Sequence, residues 1–112
     1  MLKKENRLTK KNEFDNVFKR SKASSGRFVF LKVLENGLGI SRFGFIVSSK
    51  ISKRATIRNK IKRRLREIIQ KNIIDTKKGL DVVILARPNI IDCDFGEIKE
   101  DTERLFKKLK IL

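Results

Sequence analysis

The sequence contains no histidine, no tryptophan and no tyrosine. Without histidine there is no imidazole base, no His-based triad and no His-ligated zinc site. Without tryptophan and tyrosine, the eight phenylalanines are the only aromatic faces on which a base or a cation can stack. Cys93 is the single cysteine, so an internal disulfide is excluded and a reducing, cytoplasmic setting is expected. It stands between Asp92 and Asp94, which give its thiol no electropositive activation. Pro88 is the single proline, and no Pro/Gly/Ser linker, repeat or low-complexity block divides the chain. No run approaches the roughly 18 apolar residues that would span a bilayer. The N-terminal MLKKENRLTKKNEF lacks the apolar centre of a secretion signal. Neither a GxxxxGK[ST] phosphate loop nor a GxGxxG fingerprint occurs.

Acidic residues are also scarce, 13 against 29 Lys and Arg, for a net charge of +16. Such a field repels itself inside a folded chain and points to an acidic partner, with nucleic acid ahead of an anionic membrane. The charge is unevenly spread. Met1 to Ile74 holds 21 basic and 5 acidic residues, whereas Asp75 to Leu112 holds 8 of each. The excess therefore lies wholly in the first two-thirds. At 112 residues and 39% hydrophobic content the chain reads as one domain, residues 1–112, with a modest core rather than a disordered basic tail.

Periodicity supplies the elements. Thr9 is placed to cap a helix over Lys10 to Arg20, with Phe14, Val17 and Phe18 on one side, and Ser24, Ser25 and Gly26 break it. RFVFLKVL, Arg27 to Leu34, is strand-like. Strand alternation puts Val29, Leu31 and Val33 on one face and Phe28, Phe30 and Lys32 on the other. Asn36-Gly37 and Gly39 suit a turn, and RFGFIVSS, Arg42 to Ser49, reads as the hairpin partner. A helix from Ile57 to about Asn72 has the apolar stripe Ile57, Ile61, Leu65, Ile68 and Ile69, with Thr56 as its cap unless Arg54 to Thr56 stays extended. LDVVILA, Leu80 to Ala86, is a continuous apolar run, hence a buried central strand. Asp92 or Asp94 then caps a last helix whose apolar face is Phe95, Ile98, Leu105, Phe106 and Leu109. Glu100 and Glu103 are placed to pair with Arg104 and Lys107 four residues on. The expected fold class is α+β: a single-domain α/β sandwich in the order α-β-β-(β)-α-β-α, with a small central sheet of three or four strands covered by helices on one side.

The segment KRATIRNKIKRRLRE, Lys53 to Glu67, bears the most chemistry. Eight of its fifteen residues are basic. On the helical wheel Arg58, Lys62 and Arg66 form one row, Asn59 and Arg63 the next, and Lys60 and Arg64 the opposite flank. Asn59 sits inside the basic face. Arginine offers a planar fork to phosphate oxygens, lysine a mobile charge, and asparagine can bond a 2′-hydroxyl, a base edge or a nearby backbone group. Like charges at i, i+4 weaken the free helix, and phosphate relieves that repulsion. This pattern is expected to contact nucleic acid. A solvated lysine-rich face does not account for five arginines between Arg54 and Arg66. Phe43, Phe45, Phe95 and Phe106 read as core, while Phe14, Phe18 and Phe30 stand open between core and exposed platform. The carboxylates form no catalytic pair, and Asp92 and Asp94 read as cap chemistry rather than a metal site.

RNKIKRRLRE, Arg58 to Glu67, resembles the signature of the bacterial ribonuclease P protein subunit, usually RNRIKRxxRE. NRLTKKNEFDNVFKRSK, Asn6 to Lys22, is similar to that family's N-terminal helix. RFGFIVSSKISKRATIRN, Arg42 to Asn59, is similar to its strand and entry to the signature helix, and DVVILARP, Asp81 to Pro88, to its last strand. The similarity covers nearly the whole chain. Lys60 departs from the usual arginine, keeping charge but losing bidentate geometry, and Ser49 stands where lysine is more frequent.

The resemblance implies a small α/β sandwich with a left-handed crossover around the signature helix, against the ordinary right-handed expectation. It implies one protein per ribonuclease P catalytic RNA, in a holoenzyme that removes the 5′ leader of precursor tRNA. The RNA and its Mg2+ perform the chemistry. The protein contributes no catalytic residue and binds no metal or cofactor alone. Lys53, Arg54, Arg58, Asn59, Lys60, Lys62, Arg63 and Arg66 are expected to bind the RNA subunit. Phe14, Phe18, Phe28, Phe30, Lys32 and Lys50 are expected to line a cleft for the single-stranded leader, since aromatic faces stack on unpaired bases with little sequence preference. The alternative is a non-enzymatic ribosomal or other structured-RNA-binding protein. A DNA-binding architectural protein is disfavoured, because neither a helix-turn-helix nor a minor-groove arm is visible.

Overall fold

The computed structural model of the chain describes residues 2–73 and 75–111. In chain order it forms a 3-10 turn (Lys4–Asn6), helix α1 (Lys11–Arg20), strands β1 (Lys22–Ser25), β2 (Val29–Glu35) and β3 (Arg42–Ile46), helix α2 (Ala55–Asn72), strand β4 (Leu80–Ala86), a second 3-10 turn (Pro88–Asp92) and helix α3 (Phe95–Lys108). The class is α+β. The four strands form one sheet in the order β1-β2-β4-β3. The apolar run of β4 is a central strand, antiparallel to β2 on one side and parallel to β3 on the other.

One face of the sheet carries the main core. Val29 and Leu31 of β2, Val82 and Ile84 of β4 and Phe43 of β3 meet Ile61, Leu65, Ile68 and Ile69 of α2. Ile98, Leu105 and Phe106 of α3 close this layer. The stripe expected in α2 is thus buried, and Ile57 packs at its margin. Asp94 caps α3: its Oδ1 accepts the Glu97 N–H at 2.8 Å, and Glu97 Oε1 accepts the Asp94 N–H in return.

Several local expectations are corrected. Ser24 and Ser25, read with Gly26 as a break, belong to an edge strand, Lys22–Ser25, paired with β2. β2 and β3 are not hairpin partners, because β4 lies between them. The turn at Asn36 carries the chain past that strand. Asn36 Nδ2 donates to the Ile40 carbonyl and to Asp81 of β4, while its Oδ1 accepts the Leu38 N–H and Gly37 takes φ +72°. The helices do not lie on one side only, since α1 packs on the opposite face against β2 and β4. Thr9 does not cap α1 with its hydroxyl. Instead Glu13 Oε1 accepts the N–H groups of Thr9 and Lys10. The N-cap of α2 is Arg54, extended, with no side-chain cap. In α3, Arg104 pairs with Asp101 rather than Glu100, and Glu103 accepts from Asn72 of α2 rather than pairing with Lys107.

Candidate nucleic-acid interface

The apolar stripe of α2 decides which of its charges face outward. With Ile61, Leu65, Ile68 and Ile69 turned into the core, Arg54, Asn59, Lys60 and Arg63 are exposed and Arg58, Lys62 and Arg66 half-buried. Arg58 Nη1 donates to the Ser52 carbonyl at 2.8 Å, tying the incoming loop to the first turn. The Arg66 guanidinium lies over the Phe45 ring, 5.7 Å from its centre, which ties it to β3. Among the described residues, no carboxylate comes within ion-pair distance of Arg54, Arg58, Lys60, Lys62, Arg63 or Arg66. Lys53 is exposed in the loop just before the helix. Asn59, Arg63, Arg66, Glu67 and Gln70 line a shallow groove along the outer side of α2. Among the described residues these cations thus stand on and before α2 with no carboxylate in ion-pair contact, although Glu67 shares the groove.

A second surface lies across the sheet, between α1 and β2. Phe18 is 39% exposed, large for an aromatic ring. The Lys32 ammonium stands 5.4 Å from the centre of the Phe18 ring and 5.7 Å from that of Phe30. Two ring faces and one cation thus converge at the end of α1. Phe14 is different: its ring lies on Gly44 of β3, where an added Cβ would come within 2.5 Å of Cε1. Glycine at 44 is what lets α1 approach the sheet.

One expected cleft residue, Phe28, is in the core, and another, Lys50, comes from a loop outside α1 and β2. Phe28 precedes the first residue of β2, so strand alternation does not reach it. Its side chain turns into the main core, 7% exposed, with the Arg27 guanidinium over its ring. Lys50 is exposed in the loop between β3 and α2, and among the described residues it is not one of the cations over the Phe18 or Phe30 ring.

Two buried carboxylates escaped the sequence reading. Asp101 of α3 accepts the N–H groups of Arg27, Phe28 and Val29 at 2.9, 2.8 and 3.2 Å. Burial pushes its carboxyl up, but these three bonds and the Arg104 guanidinium outweigh burial and hold it below the ordinary value. A Cβ at Gly26 would collide with this carboxylate at 2.4 Å. Asp81 of β4 takes Arg42 in bidentate fashion, Nε at 2.8 Å and Nη2 at 2.7 Å, and Arg42 Nη1 reaches Glu13 of α1. Hydrogen bonding to Asp81 raises the Arg42 guanidinium, and the Lys10 N–H heads the causes that lower Glu13. The signal was legible in principle: Arg42 and Asp81 are charged residues at sheet positions beside the apolar Val83 and Leu85.

Burial, then the charges of Glu97, Asp92 and Asp94, push the Cys93 thiol up. No group of three or more His, Cys, Asp or Glu side chains able to hold a metal occurs among the described residues. No helix among them is long and apolar enough to cross a membrane.

The chain matches the family model described as Ribonuclease P over residues 2–110. It is 40% identical over 108 residues to the ribonuclease P protein component of Syntrophomonas wolfei, covering 96% of this chain and 90% of that one. It is 34% identical over 111 residues to that of Alkaliphilus oremlandii, covering 99% and 96%. Among solved structures it resembles the RNase P protein of Thermotoga maritima, with TM-score 0.83 and 32% identity over 91% of this chain and 96% of that one. A Staphylococcus aureus RNase P protein mutant with defective mRNA degradation activity aligns with TM-score 0.90 and 26% identity over 97% and 92%.

Proposed function

Because the chain belongs to the ribonuclease P protein family, we propose that its two surfaces divide the work of that enzyme's protein subunit. The basic face of α2 binds the catalytic RNA, and the aromatic cleft beside α1 binds the 5′ leader of precursor tRNA. Family membership sets aside the ribosomal alternative. The observation behind the reading is that six cations on and before α2 lack a carboxylate partner among the described residues. Their mutual repulsion is relieved when phosphates lie between them.

The protein acts within an RNA-based endoribonuclease. The RNA, with Mg2+, supplies the bond-breaking chemistry, and the protein supplies binding and charge neutralisation. Lys53, Arg54, Arg58, Asn59, Lys60, Lys62, Arg63 and Arg66 form the RNA-subunit surface. Phe18, Phe30 and Lys32 form the leader cleft, with Phe14 as its support on the sheet. Phe28 belongs to the core. Lys50, at the entry to α2, meets RNA from the loop. Residues 1–112 form one RNA-binding domain, one copy per RNA, in the cytoplasm. The β3-α2-β4 connection is the crossover for which the family resemblance implies a left hand.

Cleavage of precursor tRNA by the cognate ribonuclease P RNA at low Mg2+, with and without this protein, tests the reading. Stimulation with a correct 5′ end is expected, together with no cutting by the protein alone. Tight RNA binding without stimulation would leave α2 as an RNA surface and remove the assignment to leader processing.

A further inference from the structure

Helix α1 must hold an aromatic ring over the sheet without closing on it. Its apolar attachment is slight. Val17 is its only buried residue, and the buried cluster beneath it is Leu8, Val17 and Val83. The last turn is the open one, with Phe18 39% exposed over Lys32 and Phe30. Among the described residues, no hydrogen bond or ion pair joins residues 16–20 to the sheet. A larger apolar contact there would fill the space a base must enter.

The first turn is held in another way. Glu13 binds Arg42 with one oxygen and the N–H groups of Thr9 and Lys10 with the other. Arg42 in turn grips Asp81, which is 4% exposed in the central strand and also accepts Asn36. The Phe14 ring meets Gly44 beside this network. One guanidinium thus spans two carboxylates on two elements, a task that a lysine's single ammonium does not reproduce.

We propose that Arg42 is a positioning residue for the leader. It clamps the first turn of α1 to β4 so that the last turn carries Phe18 at a fixed height above Phe30 and Lys32. This rests on the reading of that cleft as the leader site. Arg42 acts through Phe18 and makes no contact with RNA itself.

The test uses the holoenzyme reconstituted with its cognate RNA. The ratio of affinities for precursor tRNA and mature tRNA isolates the leader's contribution, and protein affinity for the catalytic RNA is measured alongside. Arg42→Lys and Glu13→Gln should each lower the ratio by about fivefold or more, within the range of one lost base stack. Affinity for the catalytic RNA should stay within about twofold. In a Phe18→Ala background Arg42→Lys should lower the ratio no further, because both changes remove one interaction. Glu13→Gln leaves the Arg42–Asp81 pair in place, so it decides the matter if Arg42→Lys fails to fold. A normal ratio in Glu13→Gln and in any folded Arg42→Lys, with a lowered one in Phe18→Ala, would overturn the clamp and leave the leader cleft standing. Effects of Arg42 and Phe18 that multiply would also overturn it, assigning Arg42 to general stability. A normal ratio in Phe18→Ala would remove the cleft reading and the clamp together.

Discussion

The two faces of the sheet are built for different ends. One is packed without interruption: α2 and α3 cover it, and Leu65, Ile68, Ile69, Ile98 and Phe106 are at most 1% exposed. The other is covered by one ten-residue helix, and its contacts are a small apolar cluster, a ring laid on a glycine and a chain of charges. Apolar burial is strong but undirected, and it closes whatever space it can. If this face admits a nucleobase, as proposed, it is better held by directional bonds at one end and left open at the other. Close packing and the proposed leader cleft thereby lie on opposite sides of one sheet.

The sharpest way to break that separation is to damage the closed face. Leu65→Ala should cost about 3 kcal/mol of stability, read by urea unfolding, as expected for a buried leucine in a close-packed site. A cost below about 1 kcal/mol would show that the α2 face is less tightly packed than the structure has it. Asp101→Asn comes next, at about 2 kcal/mol, because an amide retains one acceptor oxygen for three N–H donors. Asp101 also sets a pH dependence. Its folded carboxyl lies below the ordinary 3.8, so between the two values the unfolded chain binds more protons. Its contribution is present above 3.8 and is lost as the pH falls through that value toward the folded one. The fall of melting temperature in this acid range should be shallower in Asp101→Asn. Glu13, held below its ordinary 4.5, adds a loss of the same sign in the wild type.

For residues outside the packed core the expectation reverses. Phe18→Ala should leave the melting temperature nearly unchanged and weaken leader binding by about 1–2 kcal/mol. A collapse of the melting temperature would make Phe18 part of the core. The smallest effect belongs to single cations of α2. Arg63→Ala should lower the salt slope of RNA binding by about one without altering stability. Arg66→Ala should lower the slope equally but also cost a few tenths of a kcal/mol through its lost contact with Phe45. An unchanged slope in either variant would take that residue out of the interface.

Residues whose environment is set by their own helix were legible in advance. The stripe of α2 placed its basic face correctly, since a period of 3.6 sends Arg63 outward whenever Ile61 and Leu65 go in. The cleft was half legible. Alternation set Phe30 beside Lys32, but it misplaced Phe28, which lies before the strand, where Asp101 turns the backbone. The hairpin failed because adjacent strands in sequence usually pair, and nothing local announces that β4 will enter between them.

The amino-acid sequence by itself determined the basic helix, its signature, the central strand and the aromatic character of the cleft, because periodicity and side-chain chemistry are properties of short segments. Only the tertiary structure decided that α1 crosses to the other face, that Gly26 and Gly44 make room for Asp101 and Phe14, and that Glu13, Arg42 and Asp81 meet. These contacts join residues from 29 to 75 positions apart. Their energies depend on burial and geometry that exist once the sheet has closed, and no local pattern encodes them.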